Sequence, residues 1–150
     1  KVVDYGIVDA NNMGAAMAPA AMNTLIAHFE DTNTKPSDYD LILTGDLGKL
    51  GSEILRDLME RNGYPLGENY SDCGHMIYND HQHTYQGGSG AGCSASVFNS
   101  YIIKQIKERK LKKVLFLATG ALLSPTTTFQ GDSIPAISHA VVVECGEEVE

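Results

Sequence analysis

The sequence predicts a three-layer α/β domain with helices on both faces of a mixed five-stranded sheet, and three observations predict it. Short apolar runs of strand length alternate with stretches whose apolar residues recur at helical spacing, giving the order β-α-β-α-β-α-β-β. The runs at 41–44 and 113–118 are apolar but for Thr44 and the leading Lys113, as parallel strands covered on both faces are, and glycine follows within two residues of each. The segment from Cys93 to about Glu108 carries Val97, Phe98, Tyr101, Ile102, Ile103 and Ile106 on more than one helical face, so it is expected to lie between other elements.

Val2 to Val8 reads as the first strand, and Met13 to Glu30 as a helix whose Met22, Leu25, Ile26 and Phe29 recur at 3, 4 and 7. Pro19 is placed near that helix's start, where a missing N–H costs least. A turn over Asn33 to Pro36 leads to Leu41-Ile42-Leu43-Thr44, a short buried strand stopped by Gly45-Asp46. Asp46 is the expected cap of a second helix carrying Leu50, Ile54, Leu55, Leu58 and Met59, and Gly63 ends it. Between 63 and 87 only Met76-Ile77-Tyr78 has strand character; the remainder is a long loop of Gly, Asn, Asp, His and Tyr, the kind that carries function. After the long helix comes the strand Lys113 to Ala118, ending at Thr119-Gly120-Ala121. A polar connection over 122–137 then leads to the last strand, Ala140 to Val143, expected to run antiparallel because no helix intervenes.

At 150 residues, 43% hydrophobic and 20% charged, the chain reads as one soluble globular domain. No apolar run nears the ~20 residues of a membrane helix. The opening Lys1-Val2-Val3-Asp4 lacks an initiator Met and reads as a fragment or processed form. A net charge of −8 argues against nucleic acid as a partner. Lys104, Lys107, Arg109, Lys110, Lys112 and Lys113 nevertheless cluster at one helix end, where they complement the dipole or meet an anionic membrane or partner protein. Three cysteines, Cys73, Cys93 and Cys145, at low density point to a reducing compartment.

The run Gly87-Gly88-Ser89-Gly90-Ala91-Gly92-Cys93-Ser94 opens onto a helix and is nearly bare of side chains, so its amides can approach an anion closely. It matches neither the phosphate loop nor the dinucleotide fingerprint. In an open α/β sheet ligands gather at the carboxyl ends of strands, which gathers Gly45-Asp46-Leu47-Gly48-Lys49, the glycine run and Thr119-Gly120-Ala121 into one expected floor of amides, with Lys49 the nearest cation. The alternative is that each glycine serves only a tight turn or close packing. Cys93, at the expected helix start, is the one plausible nucleophile, with His81, His83 or His139 as a base; its other reading is a small packing residue. Asp72, Cys73, His75, Asp80, His81 and His83 supply metal-ligand atoms, set against surface histidines because no closing pair completes a site.

Five stretches together, Asn12 to Ala21, Asp40 to Lys49, Asp72 to Gly74, Gly87 to Ala95 and Ala118 to Pro125, strongly resemble the stage V sporulation protein AD family of endospore-forming bacteria. The resemblance runs from Val3 to about Val143 and corresponds to the family's C-terminal half. It implies a thiolase-like fold, in which two similar α/β halves share a middle layer, so the long helix's neighbour would be the N-terminal half or a second copy of this chain. It implies a soluble protein peripheral to the spore inner membrane, working with other stage V sporulation membrane-complex proteins. The implied ligand is dipicolinic acid, pyridine-2,6-dicarboxylate, bound for uptake into the developing spore, with no resident cofactor and Ca²⁺ as a companion of the ligand.

Condensing enzymes of that superfamily place a histidine after the second strand and an asparagine before the long helix; here stand Thr44-Gly45-Asp46 and Gly90-Ala91-Gly92. The expectation is therefore a non-enzymatic binding protein whose ligand meets Gly45, Asp46, Gly48, Lys49, Ser89, Gly90, Ala91, Gly92, Cys93, Ser94, Thr119, Gly120 and Ala121. Two alternatives stay open: acyl transfer through Cys93, and a ligand-free structural subunit.

Overall fold

A computed structural model describes residues 1–146. Its sheet has four strands in the order β2-β1-β3-β4: β1 (Leu41–Thr44), β2 (Tyr70–Asp72), β3 (Lys113–Ala121) and β4 (Ala136–Glu144). β1 pairs parallel with both β2 and β3, while β4 runs antiparallel to β3 over the whole register from Lys113↔Glu144 to Ala121↔Ala136. The mixed α/β sheet with one antiparallel pair at its end is as the alternation of apolar runs predicts, but it has four strands where five are expected.

Alternation along the strands sends side chains to two cores. Ile42, Leu115 and Leu117 pack with α1 (Met13–Thr32) and α2 (Gly48–Arg61) through Met17, Leu25, Phe29, Leu55 and Met59. On the opposite face Leu43 and Val114 pack with Cys73, Cys93, Val97 and Ile102, and Phe116 joins them. The second group comes from α3 (Cys73–Met76) and from a helical stretch made of α4 (Ala91–Val97), a π turn at Phe98–Ile102 and α5 (Ile103–Lys107).

The most buried helix is α1. Asn12 caps it by accepting from the Ala15 amide at 3.1 Å, and Asn33 in the left-handed region (φ 52°) ends it. Its first turns are glycine and alanine because another backbone lies against them: a Cβ on Gly14 would stand 2.9 Å from the Gly51 Cα of α2. The π-containing helix, expected to be buried on several sides, buries Cys93, Val97 and Ile102 and leaves Ala95, Ser96, Asn99, Ser100 and Tyr101 in solvent.

Two strand expectations are corrected. From Val2 to Val8 only Val3 forms a bridge, to Ala136 with two 2.8 Å bonds, and further along the Ile7 carbonyl accepts from the Ile134 amide at 2.7 Å. The Asp4 carboxylate then accepts from the Gly6 amide at 2.9 Å and Gly6 takes φ +74°, a side-chain turn that breaks the extended run. Met76-Ile77-Tyr78 is not a strand; the strand lies six residues earlier, at Tyr70–Asp72, and Asp72 immediately starts α3 by accepting from the His75 amide at 3.2 Å. The polar connection at 122–135 holds a short helix, α6 (Pro125–Gln130), capped by Ser124. In the basic cluster, Lys104 and Lys110 face Glu108, and Lys113 faces Glu144, surface pairs worth little to stability.

Candidate functional site

The turn after β1, the glycine run and the end of β3 converge on one side chain. Asp46 Oδ1 accepts from Thr119 Oγ1 at 2.8 Å, and its Oδ2 accepts from the Gly90 amide at 2.9 Å and from Ser89 Oγ at 3.4 Å. Asp46 is thus the tie between three distant segments rather than the cap of α2. That cap comes from Asp72: Oδ2 accepts from the Leu47 amide and Oδ1 from the Gly48 amide, both at 2.9 Å.

Asp72 is 1% exposed, and Thr44 Oγ1 also donates to it at 2.6 Å. Because Thr44 has one hydroxyl proton and spends it there, the Tyr70 hydroxyl, 3.0 Å away, donates to Thr44. Burial pushes the Asp72 carboxyl above its ordinary range, and its donors, Thr44 first, act against that. Gln86 completes the α2 start: its carbonyl accepts from the Lys49 amide at 3.0 Å and its Oε1 from the Leu50 amide at 2.9 Å.

Between the starts of α1 and α2 and the glycine run lies a cavity of about 380 Å³, lined by Asn11, Asn12, Asp46, Gly48, Gln86 and Ser89 among others. Of the expected site residues, Asp46, Gly48 and Ser89 face it. Gly45 is buried with the Ser94 Cβ 3.4 Å from where its own Cβ would be, and Gly90, Ala91 and Gly92 are exposed at the helix start. Lys49 lines the clefts on the far side of α2. Thr119, Gly120 and Ala121 are not a turn but ladder residues of β3 opposite Ser138, Ile137 and Ala136, so what this segment gives the site is the Thr119 hydroxyl.

The glycines divide by cause. At Gly48 (φ +70°) a Cβ would meet the Gln86 carbonyl oxygen at 2.6 Å, a packing requirement. Gly92 has no such neighbour: nothing lies within 4 Å and its backbone is ordinary helix. It heads a helix whose Ala91 and Gly92 amides have no acceptor among the described residues.

Cys93 lies under Gly88, 5% exposed. Burial and then the negative charges of Asp72 and Asp46 raise its pKa, the reverse of the dipole-favoured thiolate that its position suggests. Among the described residues it makes no hydrogen bond to His81, His83 or His139. Cys73 is wholly buried and its thiol is pushed up to about 12, burial being the main cause. No three His, Cys, Asp or Glu side chains among the described residues are grouped to hold a metal ion. Asp72 is spent on hydrogen bonds, Cys73 is in the core, and His75, His81 and His83 are exposed.

Asp72 and Gln86 are the residues that sequence reasoning misses as organisers of this region. Asp72 carries a local signal as the cap of α3, but its bonds to Leu47 and Gly48 span 25 and 24 positions. Among the described residues no helix is long and apolar enough to cross a membrane.

The model of the family described as Stage V sporulation protein AD matches residues 1–144. A curated relative, Stage V sporulation protein AD of Bacillus subtilis (strain 168), is 53% identical over 144 residues, covering 96% of this chain and 43% of that relative. The chain therefore spans less than half the length of the relative it matches. Matched almost from end to end, the chain belongs to the stage V sporulation protein AD family, a family of sporulation proteins.

Proposed function

We propose that this chain is the C-terminal half of a thiolase-like protein that binds dipicolinic acid without transforming it, as a subunit of a complex that takes the compound into the developing spore. The observation that carries the reading is the convergence of three segments on Asp46 beside a helix start whose Ala91 and Gly92 amides are unoccupied. Two carboxylates on a small rigid ring suit backbone donors held at fixed spacing, because preorganised amides lose nothing in reorganisation when an anion arrives. Open space at Gly92 is what a ligand needs there and what neither turn geometry nor packing requires.

Thiolase-like layering is supported by the bridge at Val3, which sets the first segment along the edge of β4 as a fifth strand would lie. The exposed face of the π-containing helix would then meet the N-terminal half of the protein, or a second copy of this chain. Peripheral attachment at the spore inner membrane and contact with other stage V sporulation membrane-complex proteins complete the reading; nucleic acid has no place in it. Asp46 puts a negative charge near the anion and Lys49 lines clefts on the far side of α2, so the compensating cation is a residue of the N-terminal half or Ca²⁺ carried by the ligand. The raised pKa of Cys93 favours this binding role over acyl transfer.

Calorimetric titration of the full-length protein with dipicolinate, with and without Ca²⁺, tests it. Saturable heat that disappears in Gly92→Asp, a substitution that sets a carboxylate in the open space, is the expected result. Absence of heat in both conditions, or binding indifferent to that substitution, would falsify the proposal; thioester turnover lost in Cys93→Ala would favour the enzymatic reading.

A further inference from the structure

Of the asparagines in the chain, Asn62 alone is followed by glycine. The pair closes α2: Asn62 is its exposed C-cap, and Gly63 beyond it is exposed with φ +83°. A side-chain amide is most open to attack by its own backbone where glycine comes next, because no Cβ blocks the approach. Whether it reacts depends on how the two residues are held.

Here they are held apart. Asn62 Nδ2 donates to the Leu58 carbonyl at 2.7 Å and reaches Met22 Sδ of α1 at 3.5 Å. The Gly63 amide, whose nitrogen would attack, donates to the Glu60 carbonyl at 3.0 Å. With ψ of Asn62 at 7°, that nitrogen is nearly eclipsed with Asn62's own backbone nitrogen. Tetrahedral geometry then sets it about a third of a turn from the side chain, and the attack has no path in this conformation.

The flanks of this joint are fixed and the joint is not. Met59 is wholly buried, its carbonyl accepts from the Tyr64 amide at 3.0 Å, and the Tyr64 ring stacks on Phe29 with centroids 5.5 Å apart. Between these anchors the peptide plane joining Asn62 to Gly63 can rotate as a unit, changing ψ of Asn62 and φ of Gly63 in opposite senses. Glycine tolerates the φ values that this sweeps, and a Cβ built on Gly63 would meet nothing within 4 Å, so no neighbour obstructs the motion. The rotation breaks the bond to Glu60 and frees the side chain from Leu58, both at an exposed helix end, where opening costs least.

We infer that Asn62 is a site of spontaneous modification by water, gated by this rotation at the end of α2. The Gly63 amide gives its proton to solvent base, its nitrogen bonds to Asn62 Cγ, and the Cγ–Nδ2 bond breaks as ammonia leaves with a proton from water. A second water opens the cyclic imide at either carbonyl, yielding aspartate or isoaspartate. The sum is amide plus water to carboxylate plus ammonium, with no oxidant or cofactor. The product loses the donor to Leu58 and sets a negative charge against carbonyls at the negative end of the helix dipole, so the modified end of α2 is looser. The site is independent of the dipicolinate reading, which concerns the opposite end of α2.

The test is incubation of the full-length protein at mildly alkaline pH, native and in denaturing urea, followed by peptide mapping and enzymatic methylation of isoaspartate. The peptide carrying Asn62 is expected to gain isoaspartate in both, at least about tenfold more slowly when folded, the suppression given by an opening cost of about 1.4 kcal/mol. Below the unfolding transition the native rate scarcely responds to urea, because turning one peptide plane exposes little new surface. Asn62→Gln, which keeps an amide donor but must close a larger ring, suppresses the signal. No isoaspartate at Asn62 in the native protein, equal rates folded and unfolded, or a native rate that climbs with urea as steeply as global unfolding overturns the inference.

Discussion

Asp72 and Asp46 are both carboxylates that collect donors from distant segments, yet their surroundings make them unequal. Asp72 is buried and holds the Thr44 hydroxyl and three amides. Removing it strands those donors where water cannot reach, so Asp72→Ala is expected to cost about 3 kcal/mol or more in urea denaturation. Asp46 is half-buried, and Ser89 and Gly90 beside it are exposed. Its partners can turn to water, and Asp46→Ala is expected to cost only about 1 kcal/mol in the same measurement. That both positions matter is visible in the sequence as acid residues at element boundaries. Which amides each one holds is not, because the partners of Asp46 lie 43, 44 and 73 positions away.

Between elements, glycine has three separate physical roles here, and substitutions separate them. Gly51→Ala pushes a Cβ to 2.8 Å from the Gly14 Cα, so α1 and α2 must part; a loss of about 2 kcal/mol in thermal or urea unfolding is expected. Gly90 has φ +96° with open space around it, so Gly90→Ala costs about 1–2 kcal/mol through backbone strain alone. Gly92→Ala meets neither obstacle and is expected to be neutral or to stabilise by up to about 1 kcal/mol, since alanine is the better helix former. A reversed order among the three in melting experiments would contradict this assignment. The sequence shows all three as members of Gly/Ala-rich stretches; only neighbours from other elements distinguish them.

For the molecule as a whole, the stability that burial of Cys73 and Tyr70 confers depends on pH. Burial raises both groups to about 12 from ordinary values of 9.0 and 10.0. The folded state therefore retains protons that the unfolded chain gives up at lower pH. With fewer protons bound in the unfolded state, stability falls as pH rises, beginning near pH 9 and continuing to about pH 12, and the accumulated loss is several kcal/mol in order of magnitude. Denaturant midpoints measured across this range should fall steadily, and Cys73→Ala should flatten the first part of the decline. Midpoints constant across the alkaline range would show that neither group is protected as its burial implies.

What the sequence by itself determined is the α/β class, the runs that become β1 and β3, the cores of α1 and α2, the glycine-rich approach to a helix, and membership of a sporulation family. Each of these rests on periodicity or on contiguous residues, information that is local to the chain. Tertiary structure alone decided that Val2–Val8 yields a single bridge, that Tyr70–Asp72 and not Met76–Tyr78 joins β1, and that Asp72 caps a helix far from it in sequence. It also decided that Lys49 turns toward Ser52 and Arg56, away from the cavity beside Asp46. A strand's edge partner, a remote cap and the direction of a long side chain are set by contacts between distant segments, and no spacing in one dimension encodes them.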